Sequence, residues 1–175
     1  MQNDLDLLIR QLQGAHAGEL AASYAYRGHA NSVRDPNEKA EIETIRDEEL
    51  HHRRLVRDLL TQLGAKPNPI REAVFFLIGN SIAFLCHIGG WFIPMYGAGR
   101  LERSNIVEYE EAAVYASRCG HAEMIDCLLS MAEVEWEHEK YFREKVEGHV
   151  LLRVMKVWPV PPAKEEIRAR WKSAA

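Results

Sequence analysis

The chain has 175 residues, of which 47% are hydrophobic and 27% are charged, and its formal net charge is −4. This composition is typical of a folded globular domain and excludes an intrinsically disordered protein. The mild acidity argues against a nucleic-acid partner, which would require a basic surface. Three cysteines without a CxxC spacing argue against a disulfide scaffold or a zinc ribbon. The first residues, MQNDLDLLIRQLQ, lack the basic start and the apolar run of a signal peptide, so a cytoplasmic protein is expected.

Apolar residues recur at intervals of three and four, which predicts α-helices, and no sustained alternation predicts strands. Four long helices are expected, over roughly residues 4–32, 37–63, from a start between 97 and 105 to about 119, and 121–148. A shorter helix is expected over 149–157, and AKEEIRARWK closes the chain with a helical turn or two. The pattern predicts an all-α four-helix bundle of two antiparallel hairpins over residues 1–157, followed by a C-terminal tail, 158–175.

An apolar segment, residues 74–99, lies between the two hairpins and contains no Asp, Glu, Lys or Arg. It is long enough to span a bilayer, for which about 20 apolar residues suffice. Its glycines and Pro94 argue against one continuous helix, so two short apolar helices joined at Gly89-Gly90 are expected. This insertion either belongs to the core or meets a membrane or an apolar ligand.

The second helix carries carboxylates and imidazoles three residues apart. Such residues share a helix face, so Glu49 pairs with His52 and Glu48 pairs with His51. The Glu49 face is the more apolar of the two, since it also carries Ile42, Ile45, Val56 and Leu60. We therefore predict that Glu49 and His52 point inward, with Glu48 and His51 as the alternative register.

The other long helices offer matching acids. A second Glu-x-x-His pair, Glu135 and His138, lies on an apolar stripe of the fourth helix. On the first helix, Glu19 is a lone acid in an apolar stripe. On the third helix, Glu110 shares its face with mostly apolar residues and is the best inward candidate, with Glu111 as the runner-up.

The spacing of these residues also puts them at similar depths in the two hairpins. The midpoint of Glu19 and Glu49 is residue 34, at the predicted turn. The midpoint of Glu110 and Glu135 falls two to three residues past Gly120. Because each helical residue rises about 1.5 Å, this second offset is only a few ångströms. Both hairpins are therefore expected to place a lone glutamate opposite a Glu-x-x-His pair.

Together these side chains predict a di-metal carboxylate site with the ligands Glu19, Glu49, His52, Glu110, Glu135 and His138. Carboxylate oxygens with imidazole suit iron or manganese, and two divalent ions would remove the cost of burying four carboxylates. Glu49 and Glu135 are expected to bridge the ions, and Glu19 and Glu110 to bind one ion each. The four glutamates are the predicted catalytic residues, and two iron ions are the expected cofactor, with manganese as the alternative.

The constellation is that of the ferritin-like di-iron proteins, and several motifs resemble one family among them. HAGELAASYAYRG (16–28) resembles the HAGE…Y-x-G motif of the demethoxyubiquinone hydroxylases, the quinone-ring monooxygenases of ubiquinone biosynthesis. The D-x-E-x-x-H pattern from Asp47 resembles the same family, as do YEEAAVY, which begins at Tyr109, and EVEWEH, which ends at His138. The resemblance covers roughly residues 8–157, and the apolar segment 74–99 lies where that family has its membrane-associated insertion.

The resemblance implies a di-iron, O2-dependent monooxygenase that hydroxylates a quinone-like or other apolar, lipidic ring substrate. It also implies peripheral contact of residues 74–99 with the inner face of the cell membrane, and we expect a homodimer. The electron donor is left open. The chain departs from the family where Tyr115-Ala116-Ser117 replace a histidine pair and in its closing segment, so the metal site carries over better than the substrate. The alternative is a ferritin-like iron-oxidising or peroxide-scavenging protein, against which the apolar insertion argues.

Overall fold

The computed structural model describes residues 2–174, which contain α-helices and short 3-10 turns and no β-strand. The six α-helices are α1 (Gln2–Ser32), α2 (Pro36–Gln62), α3 (Pro69–Ile88), α4 (Phe92–Arg118), α5 (Ile125–Val146) and α6 (Lys164–Ala174). Short 3-10 helices cover Ala122–Met124 and Val150–Arg153. The predicted all-α fold class is confirmed, and this content is consistent with a ferritin-like helical bundle.

The starts of α2 and α3 follow the same local chemistry. Asp35 precedes α2 and its side chain accepts hydrogen bonds from the backbone N–H groups of Asn37 and Glu38, at 2.8 and 3.1 Å. Asn68 caps α3 in the same way. Each cap is followed by a proline, whose missing N–H costs nothing in the first turn of a helix. These signals position both helices at the residues where the chain must turn.

The chain divides into two compact units, and the N-terminal unit, Met1–Pro94, contains α1, α2 and α3. α1 and α2 run antiparallel on either side of residues 33–35, as the sequence predicts. Their facing stripes are fully or almost fully buried and include Leu8, Leu12, Tyr26, Ile42, Ile45, Val56 and Leu60. This hairpin is the frame for the first group of candidate ligands.

Helix α3 packs along α1 through small residues. A Cβ on Gly79 would lie 2.6 Å from the backbone oxygen of Ala21, and a Cβ on Gly28 would overlap the backbone of Ala83. Both residue numbers rise together along the two helices, so α3 runs parallel to α1. The opposite face of α3 is apolar and exposed: its most exposed members are Ile70, Phe84 and Ile88, at 75, 66 and 67%.

The expected break of the apolar segment at Gly89-Gly90 is confirmed, because α3 ends at Ile88 and Gly90 has a φ of 70°. The expected second short helix is wrong, as is a start of the third helix between residues 97 and 105. Instead, α4 begins at Phe92 and continues to Arg118. Pro94 lies in its first turn, where a helix tolerates proline.

The C-terminal unit, Met95–Ala175, contains most of α4 with α5 and α6. A Cβ on Gly99 of α4 would lie 3.0 Å from Cβ of Phe142 on α5, which brings these antiparallel helices into close contact. The predicted helix over 149–157 is only a 3-10 turn, while the closing residues form the complete helix α6. Trp158 and Ile167 of the C-terminal segment are buried in this unit.

Candidate metal centre

The first group of candidate ligands lies on the α1–α2 hairpin. Glu19, Glu49 and His52 each offer a ligand atom, and these atoms lie within 4.8 Å of one another. All three side chains belong to residues that are at most 4% exposed. The structure thus brings these three predicted residues together, and we refer to them as the N-terminal triplet.

The register on α2 follows the apolar face. Glu49 and His52 are buried, whereas His51 is exposed and Glu48 is half-buried. Ile42, Ile45 and Val56 lie on the buried face, and their burial turns Glu49 and His52 inward. The alternative register, Glu48 with His51, is not the one that the hairpin adopts.

The second group lies on α4 and α5. Glu102, Glu135 and His138 each offer a ligand atom within 4.8 Å of the others, and these residues are at most 3% exposed. His138 and Glu135 are one turn apart on α5, with 3.7 Å between Nδ1 and Oε2. We refer to these residues as the C-terminal triplet, which has the same composition as the N-terminal one: two carboxylates and one imidazole.

Asn105 links the two carboxylates of the C-terminal triplet. Its Nδ2 donates to Oε2 of Glu102 at 3.0 Å, one helical turn away on α4. The same nitrogen donates to Oε2 of Glu135 on α5, at 3.4 Å. Sequence reasoning did not single out Asn105, because an asparagine one turn from an acid is common on helix surfaces.

The electrostatics of the C-terminal triplet favour a cation. Burial raises the pKa of Glu102 well above its usual range, and the neighbouring carboxylate of Glu135 raises that pKa further. His138 and the hydrogen bond from Asn105 act in the opposite direction. Without a metal, the raised pKa therefore favours the protonated form of the Glu102 carboxyl. A divalent ion would displace that proton and convert the repulsion into attraction.

The predicted ligand Glu110 lies elsewhere on α4. It is half-buried, and its Oε1 accepts a hydrogen bond from Nη2 of Arg170 at 2.6 Å. The structure does not bring Glu110 together with Glu135 and His138. Glu102 occupies the position beside these two residues that was predicted for Glu110. The runner-up, Glu111, is exposed. The third helix was predicted to start between residues 97 and 105, so Glu102 lay within the range of possible starts and was not considered as a ligand.

A signal for Glu102 was nevertheless present in the apolar stripe around it. Glu102 continues the buried stripe of α4, which includes Met95, Ile106, Tyr109 and Ala113. The hairpin depth did not provide this signal. The connection between α4 and α5 spans residues 119–124, and its centre lies closer to the midpoint of Glu110 and Glu135 than to the midpoint of Glu102 and Glu135.

The helical fold and the buried carboxylate–histidine triplets define the class of protein: a ferritin-like helical protein in which each triplet could hold a metal ion. Within that class, the family model described as "Ubiquinone biosynthesis protein COQ7" matches residues 6–89. The resemblance to the demethoxyubiquinone hydroxylase family is therefore confirmed over these residues, which include the N-terminal triplet. No curated protein and no solved structure matches the chain.

The match covers slightly less than half of the chain and ends before α4 begins. It supports a role in ubiquinone biosynthesis. Glu102, Glu135 and His138 lie outside the matched residues, so their assignment as candidate ligands depends on their burial and mutual distances.

Proposed function

We propose that the protein is a di-iron, O2-dependent monooxygenase that hydroxylates a quinone-like ring. The observation that carries the proposal is the N-terminal triplet, in which two carboxylates and an imidazole meet in a buried position within the family-matched part of the chain. The C-terminal triplet repeats the same donor set on a second helix pair. The two triplets together would supply three protein ligands for each of two ions.

The donor set fits iron. Carboxylate oxygens and imidazole nitrogens are ligands for iron and manganese, and neither triplet contains a thiolate that would favour a softer metal. Burying carboxylates that are at most 4% exposed is costly unless cations compensate for them. Two divalent ions would offset the charge of the four triplet glutamates, Glu19, Glu49, Glu102 and Glu135.

The residues of the chain would hold the ions and keep their surroundings dry. Bound iron supplies the redox chemistry with O2, which no protein side chain can supply on its own. His52 and His138 would each donate one imidazole nitrogen, and the four glutamates would supply the oxygen ligands. On α5, Leu128, Met131 and Phe142 are fully or almost fully buried on the side of Glu135, which excludes water from the ligands.

The apolar face of α3 supports a lipidic substrate. Among residues 2–174, α3 is the one helix that is long and apolar enough to cross a membrane, and most of it is exposed. One such helix is weak evidence for a membrane span. Because its other face packs closely against α1, we propose that α3 lies on a membrane surface, from which a quinone-like lipid could reach the enzyme.

Metal analysis of the protein from iron-replete cells tests the proposal. We expect about two irons per chain, as the donor count of a di-iron bundle requires. A Glu49→Ala variant should lose most of this iron. A His51→Ala variant should retain it, because His51 is an exposed imidazole on the same helix. Iron that is absent, or equally abundant in all three proteins, would refute the metal centre.

The second step is turnover of a short-chain quinone analogue with O2 and a chemical reductant, followed by mass spectrometry. Addition of one oxygen atom to the ring by the wild type, and not by Glu49→Ala, is the expected result. Iron that is bound and oxidised without any ring product would instead favour the ferritin-like, iron-oxidising alternative.

A further inference from the structure

A partly buried network of hydrogen bonds lies beside the N-terminal triplet and connects three helices. Glu72, in the first turn of α3, contacts Nδ1 of His16 on α1 through Oε1, at 2.7 Å. Its Oε2 accepts a hydrogen bond from Nη2 of Arg53 on α2, at 2.6 Å. Nη1 of Arg53 also donates to the backbone oxygen of His16, at 2.8 Å. The three residues therefore form a closed ring of contacts among α1, α2 and α3.

The protonation of this network follows from its chemistry. A carboxylate paired with arginine accepts hydrogen bonds, so Nδ1 of His16 must carry the proton that it shares with Glu72. Burial lowers the pKa of His16, which is only 3% exposed, and keeps the imidazole neutral. Glu72 and Arg53 thus form the ion pair, and His16 adds a directional hydrogen bond that sets the orientation of the carboxylate.

The network is adjacent to the ligands along both helices that carry them. His16 precedes Glu19 by three residues, so it lies on the same face of α1, about 4.5 Å lower along the helix axis. Arg53 directly follows His52 on α2. The fork of Arg53 binds the α1 backbone at one tip and Glu72 at the other. This arrangement fixes the axial register of α1 against α2 one turn from the triplet.

We propose that Glu72 is a positioning residue for the N-terminal triplet, and that it ties the ligand-bearing hairpin to the apolar helix α3. The proposal rests on the proposed metal-binding function. Glu72 itself binds no metal in this scheme, since it contacts His16 and Arg53. It acts by holding Arg53 and His16 so that Glu19 and His52 face each other at the distance that a metal ion requires.

The test compares Co2+ binding in Glu72→Gln with that in two other proteins: the wild type and Asn80→Ala. Glutamine keeps the volume of Glu72 but removes the charge that pairs with Arg53. Asn80 is the matched control, because it also links α3 to α1, through a hydrogen bond from Arg27 at 3.4 Å, about two turns farther along α3. Co2+ is a suitable probe since its visible spectrum reports ligand geometry.

We expect Glu72→Gln to bind Co2+ about tenfold or more weakly and with an altered visible spectrum, as for other residues that orient metal ligands. Asn80→Ala should match the wild type in affinity and spectrum. Arg53→Lys, which keeps the charge but loses the two-pronged geometry, should resemble Glu72→Gln. Wild-type Co2+ affinity and spectrum in Arg53→Lys would contradict the proposed geometry.

Thermal unfolding of the metal-free proteins separates positioning from a purely structural role. If Glu72→Gln and Arg53→Lys unfold at lower temperature yet bind Co2+ with wild-type affinity and spectrum, Glu72 is only a structural link and the proposal is wrong. If the wild type binds no Co2+, the metal-binding function fails first, and the positioning role fails with it. The wild-type titration therefore distinguishes the two failures.

Discussion

Replacement of Glu102 by glutamine should change metal binding and metal-free stability in opposite directions. The Glu102 carboxyl is fully buried beside Glu135, and its pKa is raised well above the usual range, first by burial and then by that neighbour. The folded, metal-free protein therefore binds a proton that the unfolded chain releases at lower pH. The associated stability is fully present below the unfolded pKa and is lost as pH rises through the folded pKa.

The magnitude follows from proton linkage. Between the unfolded and the folded pKa, each unit of pH removes about 1.4 kcal/mol of metal-free stability, shared by the Glu102–Glu135 pair. A protein of this size loses about 2–4 °C in Tm per kcal/mol. The Tm of metal-free wild type should therefore fall roughly 3–6 °C per pH unit more steeply than that of Glu102→Gln, in which Glu135 has no second carboxyl beside it.

The assay is thermal unfolding of chelator-treated protein at a series of pH values from about 5 to 8, with iron content measured on untreated samples. Glu102→Gln should lose one or both irons. Glu110→Gln is the control, because it removes a partly exposed ion pair with Arg170 that contributes about 0–1 kcal/mol, and it should retain the metal. Parallel Tm–pH curves for wild type and Glu102→Gln, or loss of iron from Glu110→Gln instead, would refute the reasoning.

Three further changes probe other parts of the molecule. Asn105→Leu keeps the side-chain volume but removes the donor to both carboxylates of the C-terminal triplet, and should weaken Co2+ binding about tenfold in a spectroscopic titration. Gly99→Val places a side chain where the ring of Trp158 lies; it should cost about 1–3 kcal/mol in urea unfolding and shift tryptophan emission to the red. Phe84→Glu introduces a charge on the exposed face of α3 and should abolish flotation with anionic vesicles while stability changes by less than about 0.5 kcal/mol.

The N-terminal triplet could be predicted because its information is local. A helix face is determined by residues three and four positions apart, so the stripe around Glu49 and His52 shows on the sequence which side is buried. The turn at Asp35 sets the register of the hairpin, and Glu19 then follows from its depth. The sequence of this one hairpin is therefore enough to predict that these three side chains meet.

Glu102 could not be placed in the same way because the start of α4 is obscured by local signals. Pro94, Gly97 and Gly99 in sequence resemble helix breakers. Proline is tolerated because it lies in the first turn, and Gly99 makes room for Trp158, which is 59 residues away along the chain. This long-range packing is not visible locally, so the predicted helix began too late to show the apolar stripe that Glu102 continues.

The C-terminal segment is a second case of long-range pairing. Trp136 donates from Nε1 to the backbone oxygen of Pro162 at 2.8 Å, and Arg168 binds Glu133 through Nε at 2.8 Å. Nothing in the local sequence around these side chains indicates which distant residue each of them contacts. Composition alone therefore predicted a tail, whereas these contacts fold residues 158–174 onto α5 and complete the C-terminal unit.

Helix α5 carries two fully buried glutamates, Glu135 and Glu139, whose partners can be compared. Glu139 receives a hydrogen bond from the indole of Trp158 at 2.7 Å and pairs with the guanidinium of Arg143 at 3.0 Å. This is how the protein stabilises a structural buried acid: the chain itself supplies a cation and a donor. Glu135 is instead placed next to a second carboxylate, Glu102, and the imidazole of His138. Placing two buried acids together raises the free energy of the metal-free fold, and binding of a divalent ion would reverse this penalty.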